Sequence, residues 1–231
     1  MERRNARKTV DRHRVLDAAL EVADRESLRG VTIRAVAAEV GAAPMSLYSH
    51  FSNKEHLYDQ MSERVVHQLF GASGRPTWQE ELEAGARNAR SLLLRHPHWL
   101  PLVTRAAVPR FSLRLYDRVL RLMSKERLSP ETAMLAVSSV MSFTLGLVLV
   151  ERMMTPKEGL VVPIEQLRIV RQMLSRIPRG TYPAIAGTAA KFERWSFDRV
   201  FDMGVRSLIV GIELDGLGPR ATTRRRLRRT A

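Results

Sequence analysis

Residues Val31 to Tyr58, VTIRAVAAEVGAAPMSLYSHFSNKEHLY, constrain this chain more than any other stretch. They read as two short helices joined by a glycine turn, with a third helix following at once. That is the layout of a helix-turn-helix DNA reader. Thr32 is a good N-cap, because its hydroxyl accepts from a main-chain N–H two or three residues on. Val31 and Val36 occupy the two positions of a hydrophobic staple. Val36, Ala37 and Val40 form an apolar stripe, and Gly41 supplies the left-handed residue that ends a helix. Pro44 suits the first turn of the next helix, where its missing N–H costs nothing. Leu47 and Phe51, four apart, face inward, which leaves Pro44, Met45, Ser46, Tyr48, Ser49 and His50 for the outer face. Ser52-Asn53-Lys54-Glu55 reads as a capping box ahead of Leu57, Met61, Val65 and Leu69 at helical spacing.

Composition bounds the rest. A chain of 231 residues holds one or two small domains. With no cysteine, disulfides, thiolate metal sites and a cysteine nucleophile are excluded. The net charge of +14 favours a polyanionic partner. Basic residues gather at the ends: Arg3, Arg4, Arg7, Lys8, Arg12 and Arg14 at one, Arg220, Arg224, Arg225, Arg226, Arg228 and Arg229 at the other. The start, MERRNARK, leads into no apolar run, so no secretory signal is read and a cytoplasmic protein is expected. Thr132–Val150 is uncharged and just long enough to raise the question of a membrane span. It contains Ser138, Ser139, Ser142, Thr144 and Gly146, and Ser129-Pro130-Glu131 opens it as a soluble helix opens. A helix buried on nearly all sides is expected there, with no membrane partner.

The pattern predicts an all-α fold of about nine or ten helices, over 10–28, 33–40, 44–50, 53–70, 77–95, 98–106, 112–127, 130–153, 164–177 and 194–214. Thr77-Trp78-Gln79-Glu80 is another capping box, and His96-Pro97 ends the helix that follows it. Thr155–Pro163 and Pro178–Pro183 read as loops. The expected domains are a three-helix DNA-binding domain over 10–70, a helical effector-binding and dimerisation domain over 77–217, and a basic disordered tail over 218–231.

The T-I-R-A-V-A start, the G-A-A-P-M-S-L-Y-S-H-F segment and the S-N-K-E-H-L continuation, with Val15, Ala19, Val22 and Ala23 on a preceding helix, resemble the DNA-binding domain of the TetR family of bacterial transcriptional regulators. The likeness covers Val15 to Leu69. Further on, SPETAMLAVSSVMSFTLGLVLVE and SFDRVFDMGVRSLIVGIE look like the regulatory domain of the family's tetracycline-repressor branch. There the two corresponding helices pack against the same pair of a second subunit. Phe197, Phe201, Val205, Leu208, Ile209 and Ile212 form an apolar face that suits such a homodimer, and Gly146, Gly204 and Gly211 would permit close approach.

The resemblance implies DNA contacts at Thr32, Arg34, Ala43, Pro44, Ser46, Tyr48, Ser49, His50 and Lys54. Chemistry then suggests roles. Arg34 can grip a guanine edge with its fork. Thr32, Tyr48, His50 and Lys54 suit phosphate oxygens. Tyr48 could instead pack partly into the core, and His50 could cap a helix end. Ala43, Pro44 and Ser46 offer little hydrogen bonding, so base reading there is expected to be apolar. Candidate effector-pocket residues are Trp99, Val103, Arg105, Met123, Met134, Ser138, Met141, Ser142 and Trp195, any of which could be plain core. The drug-contacting Asn and Phe of tetracycline repressors fall on Gly85 and Ala89, and their metal-binding His falls on Val103. The expected effector is therefore an apolar or aromatic small molecule, with no metal and no cofactor. His96 and His98 around Pro97, with no carboxylate close in sequence, read as a helix end anchored by Trp99.

The chain lacks a P-loop, a nucleophile elbow, a dinucleotide fingerprint and a zinc-protease helix, so no enzyme is expected. The expected function is a homodimeric, ligand-responsive transcriptional regulator, a repressor that leaves a palindromic operator when the effector binds. The alternative is a sequence-tolerant architectural DNA binder without small-molecule control.

Overall fold

The computed structural model describes residues 11–70, 74–105, 113–154, 172–178, 180–185 and 195–216. The helices are α1 Arg12–Gly30, α2 Ile33–Val40, α3 Pro44–Leu47, α4 Lys54–Phe70, α5 Trp78–Arg95, α6 Leu100–Arg105, α7 Leu113–Lys125, α8 Pro130–Met154 and α9 Phe197–Gly216. A 3-10 turn, Pro97–Trp99, joins α5 to α6. No strand occurs among the described residues, in keeping with an all-α fold. Of the expected 164–177 helix, only 172–175 is described as helical. The basic cluster Arg3–Lys8, the Thr155–Pro163 loop and the tail over 218–231 lie outside the described residues.

By packing, the chain divides into two units, Met1–Gly74 with Ser91–Asp117, and Arg75–Arg90 with Arg118–Ala231. The division therefore assigns 91–117 to the N-terminal unit, where the sequence placed it with the C-terminal domain.

In the first unit α1 packs on α2, α4 and the 3-10 turn, α2 on α3, and α4 on α6. The core is the set the helical spacing predicts: Val15, Ala19, Val22, Val36, Leu47, Phe51, Leu57, Met61 and Leu69 are wholly buried. Caps fix the helix ends. Thr32 accepts from the Ala35 N–H at 3.1 Å, and Gly41 closes α2 at φ 73°. The left-handed angle is one that a residue with a Cβ rarely adopts. Near the end of α1, Ser27 leaves helical geometry at φ 64° and kinks the chain toward α2. Arg64 on α4 forks onto Asp17 of α1, with contacts of 2.8 and 3.0 Å, and Arg25 reaches Glu39 of α2 at 2.8 Å.

Two local expectations change. The third helix spans four residues where seven were expected. Its chain tightens, because Ser46 N–H donates to Ala43 and His50 N–H to Leu47 in the i to i−3 pattern of a 3-10 turn. The cap of α4 is Asn53, which accepts from the His56 N–H at 2.8 Å, where Ser52 was expected. The His56 ring accepts from the Ser52 N–H at 3.3 Å, the role the capping box had given to Glu55.

In the second unit the Trp78–Arg90 part of α5 is tied to α7, α8 and α9 by polar side chains. Trp78 is wholly buried, and its Nε1–H donates to Glu126 at 3.2 Å. Arg118 donates to the buried Glu81 at 2.6 Å, and Gln79 to Glu213 at 2.9 Å. Arg90 lies over the Phe201 ring, grips Glu151 at 3.0 Å and reaches Asp198 at 2.7 Å. Burial pushes the Glu151 carboxyl above its ordinary range, and the Arg90 charge opposes that rise.

The long helix α8 is apolar and long enough to cross a membrane, and less than half of its most apolar window, 44%, is buried. This corrects the expectation of burial on nearly all sides. Its inner residues, Ala133, Val137, Val140, Met141, Thr144 and Val148, are buried, and it packs on α9. The outer residues recur three or four apart: Leu135, Ser138, Ser142, Gly146, Leu149 and Met153. A second correction concerns α9. Phe197, Phe201, Val205 and Ile209 are buried within this chain, so they are core and not a face left for a partner. Gly204 likewise serves the chain's own packing. A Cβ there would lie 2.0 Å from the Phe143 ring of α8.

Gly204→Ala is therefore expected to cost about 1–3 kcal/mol through overpacking, read as a lower urea midpoint with an unchanged slope.

Candidate nucleic-acid interface

The turn between α2 and α3 and the four residues of α3 carry the side chains the sequence nominated. Leu47 and Phe51 are wholly buried and hold the segment down. That turns Ala43, Pro44, Met45, Tyr48 and Ser49 outward, all of them exposed. Tyr48 is 48% exposed, so part of it packs inward and part faces out. His50 is half-buried, and its ring tilts against Phe51 at 6.2 Å. The hydroxyls face inward in their bonding: Ser46 donates to the Ala43 carbonyl at 2.6 Å and Ser49 to the Ser46 carbonyl at 2.7 Å.

The flanks are cationic. Arg34 in the first turn of α2 is exposed and makes no ion pair with any described residue. Lys54 opens α4, where main-chain N–H groups already favour anions. Its ammonium lies 5.2 Å from the Tyr58 ring centroid. Arg12 bonds Gln60 and lies 5.8 Å over Phe51, so α1 also brings a guanidinium beside α4. Thr32 is exposed while its hydroxyl oxygen caps α2, leaving the hydroxyl proton available to donate.

The nine effector-pocket candidates are divided between the two units. Arg105 is committed elsewhere: it pairs with Glu55 and, at 3.5 Å, with Asp59 on α4, and lies 5.6 Å over Tyr58. A guanidinium so occupied ties α6 to α4. Met134, Ser138 and Ser142 are exposed along the outer stripe of α8. Met123 and Met141 are buried in the second unit, and Trp99 and Val103 in the first. Trp195 lines a groove of about 620 Å³ on α9, with Arg199, Met203 and Arg206.

The reading of His96-Pro97-His98-Trp99 gains a partner that sequence distance concealed. His96 Nδ1 meets Asp24 of α1 at 2.7 Å and stacks on Trp99 at 4.0 Å between centroids. The stack and the hydrogen bond dock the 3-10 turn on α1. No group of three or more metal-ligating side chains occurs among the described residues.

Sequence reasoning missed Tyr58. Its hydroxyl donates to the Leu28 carbonyl at 2.6 Å, where the Leu28 carbonyl also receives the Val31 N–H. This bond pins the kinked end of α1, and with it the start of α2. Only the aromatic residue inside a helical run hinted at a buried polar tip.

Comparison with known proteins places these features. Residues 15–61 match the profile described as bacterial regulatory proteins, tetR family, and residues 70–215 that of the tetracyclin repressor-like C-terminal domain. The HTH-type transcriptional repressor DrrR1 of Streptomyces coeruleorubidus is 30% identical over 91% of this chain and 80% of its own. The class D tetracycline repressor of Escherichia coli is 32% identical over 61% of this chain and 66% of its own. Among solved structures, a TetR transcriptional regulator of Streptomyces coelicolor superposes with a TM-score of 0.73 at 21% identity, covering 87% of this chain and 97% of its own. ActR of the same organism, solved with actinorhodin, has a TM-score of 0.68 at 22% identity, covering 90% and 98%. At that identity the two structures establish the fold.

Tyr58→Phe keeps the ring for Lys54 and Arg105 and removes the hydroxyl alone. It is expected to cost about 1 kcal/mol of stability in denaturant titration, with faster amide exchange at the α1–α2 junction.

Proposed function

The chain belongs to the tetR family of bacterial regulatory proteins, and from that premise we propose that it is a homodimeric repressor, released from a palindromic operator by a small-molecule effector. It is a DNA-binding transcriptional regulator. One observation carries the finer reading. Buried Leu47 and Phe51 turn the Ala43–Ser49 face outward, between cations at Arg34 and Lys54.

On this reading Arg34 grips a guanine edge, and Thr32, Tyr48, His50 and Lys54 hold phosphates. Ala43, Pro44, Ser46 and Ser49 lie against the groove. Such a protein works where the chromosome is, in the cytoplasm. Lys54→Ala is expected to weaken all sequences alike and to flatten the log–log salt dependence by about one unit. Arg34→Ala is expected to relax preference at one base pair per half-site, at about 1–3 kcal/mol. Both are read by titration of specific and random duplexes at several salt concentrations. Equal loss on the two duplexes for Arg34→Ala would refute its role. A wild-type ratio near one would favour the architectural alternative.

Dimerisation is a property of the family. The face proposed for it here is the outer stripe of α8 with its counterpart on α9. Met134, Leu135, Leu149, Val150 and Met153 are between 46% and 77% exposed, and Met203, Val210 and Leu214 between 39% and 66%. So much exposed apolar surface marks a partner site. Gly146 and Gly211 lie on the same stripes, and a Cβ built on either meets nothing within 4 Å. A second copy could thus approach closely at both. A Cβ at Gly211 meets nothing in this chain and Ser142 is exposed, so Gly211→Arg and Ser142→Arg leave its own packing intact, yet would bury an unpaired charge in the dimer. Each is expected to give a folded monomer at micromolar concentration by light scattering; a dimer in both would refute the face.

The proposed effector is largely apolar or aromatic. Met123 and Met141 supply buried apolar surface within the second unit, and Val103, on which the metal-binding His of tetracycline repressors falls, offers no imidazole to a metal. An effector acts only through tighter binding to the state that does not fit DNA. Tetracycline with magnesium is expected to leave the operator complex intact; release by that pair, reversed by chelator, would refute this assignment.

A further inference from the structure

We propose that Met45 reads the C5-methyl group of a pyrimidine in the major groove, giving each half-site one position that requires a methyl. This rests on the DNA-reading function proposed above and adds the base chemistry to it.

The first turn of α3 is where a recognition helix meets base edges, and here that turn has few groups to donate. Ala43 presents a methyl group, and Pro44 has no N–H. The hydroxyl protons of Ser46 and Ser49 are both turned back onto main-chain carbonyls, at 2.6 and 2.7 Å. Between Pro44 and Ser46 stands Met45, which at 77% exposure matches Met153 as the most exposed of the large apolar side chains described. Leu47, two residues on, is wholly buried, so the outward Met45 is not a failure of the helix to find its core. Tyr48, on the same face, is 48% exposed.

What the major groove offers such a side chain is narrow. Every base edge there presents hydrogen-bond donors or acceptors, and thymine adds one apolar feature, its C5-methyl group. An unbranched thioether with three rotatable bonds reaches and fits a methyl group without demanding a fixed geometry. 5-Methylcytosine carries the same methyl at the same edge of a C·G pair, so Met45 would favour it over cytosine by the same contact.

The test uses the full-length chain and a site selected from a random duplex library. Each thymine in turn is replaced by uracil, and each cytosine by 5-methylcytosine, changes that add or remove a methyl and leave the hydrogen-bonding edge intact. Uracil at one position is expected to weaken binding about fourfold, and about fifteenfold when both half-sites carry it. Met45→Ala is expected to bind the thymine and uracil duplexes equally, with the helical circular dichroism and the salt dependence of the wild type. Met45→Leu is expected to keep the discrimination. Wild-type indifference to uracil at every position would overturn the proposal, as would Met45→Ala discriminating like the wild type. If selection enriches no palindromic site, the operator-reading function itself falls, and this proposal with it. Enrichment of a site without methyl preference overturns the Met45 assignment alone.

Discussion

The burial of Leu47 and Phe51 is the interaction on which the DNA-facing surface depends. A helix of four residues cannot persist in water on its own, because nucleation fixes several dihedrals for a single hydrogen bond. α3 exists because those two side chains are driven into a core walled by α1, α2 and α4. Once they are seated, the direction of every other residue from Ala43 to His50 is settled. The same core then needs its walls held in register. The Arg64–Asp17 fork, the Arg25–Glu39 pair and the Tyr58 hydroxyl on the Leu28 carbonyl do that.

Much of this was legible in the sequence where the cause is local. Thr32, Gly41, Pro44 and Ser129 each announce a helix end through their own chemistry, and each sits where it was expected. The inward stripes follow from helical spacing alone. What stayed hidden falls into two kinds. Competing local bonds altered fine detail: serine hydroxyls turned onto carbonyls accompany the shortened α3, and His56 displaced Glu55 from the α4 cap. Glu55 pairs instead with Arg105, fifty residues away. Such distant pairs form the second kind. Nothing in the spacing of His96 and Asp24, or of Arg90, Glu151 and Asp198, foretells that packing brings them together.

Arg105 shows how such a pair changes a functional reading. As a residue type near an expected pocket it looked like a ligand contact. Held by Glu55 and Asp59, it joins α6 to the helix that begins with Lys54. The apolar helix α8 teaches a related lesson. Composition reported how much of it avoids water, but not what covers each side. Its inner stripe meets α9 through Gly204 and Phe143, while its outer stripe, with Gly146 open, and the stripe of α9 that holds the open Gly211 have their match in a second chain on the reading proposed here. Two copies joined along that stripe would present two reading heads, and an effector that altered their spacing would alter their fit to DNA.

That spacing is the central claim, and hydroxyl-radical footprinting on the selected duplex, with stoichiometry measured on the same complex, tests it most directly. Two chains per duplex are predicted, protecting two patches on one face whose centres lie one helical turn apart, about 34–36 Å. A single protected patch held by one chain, or uniform protection that grows with protein concentration, would contradict it.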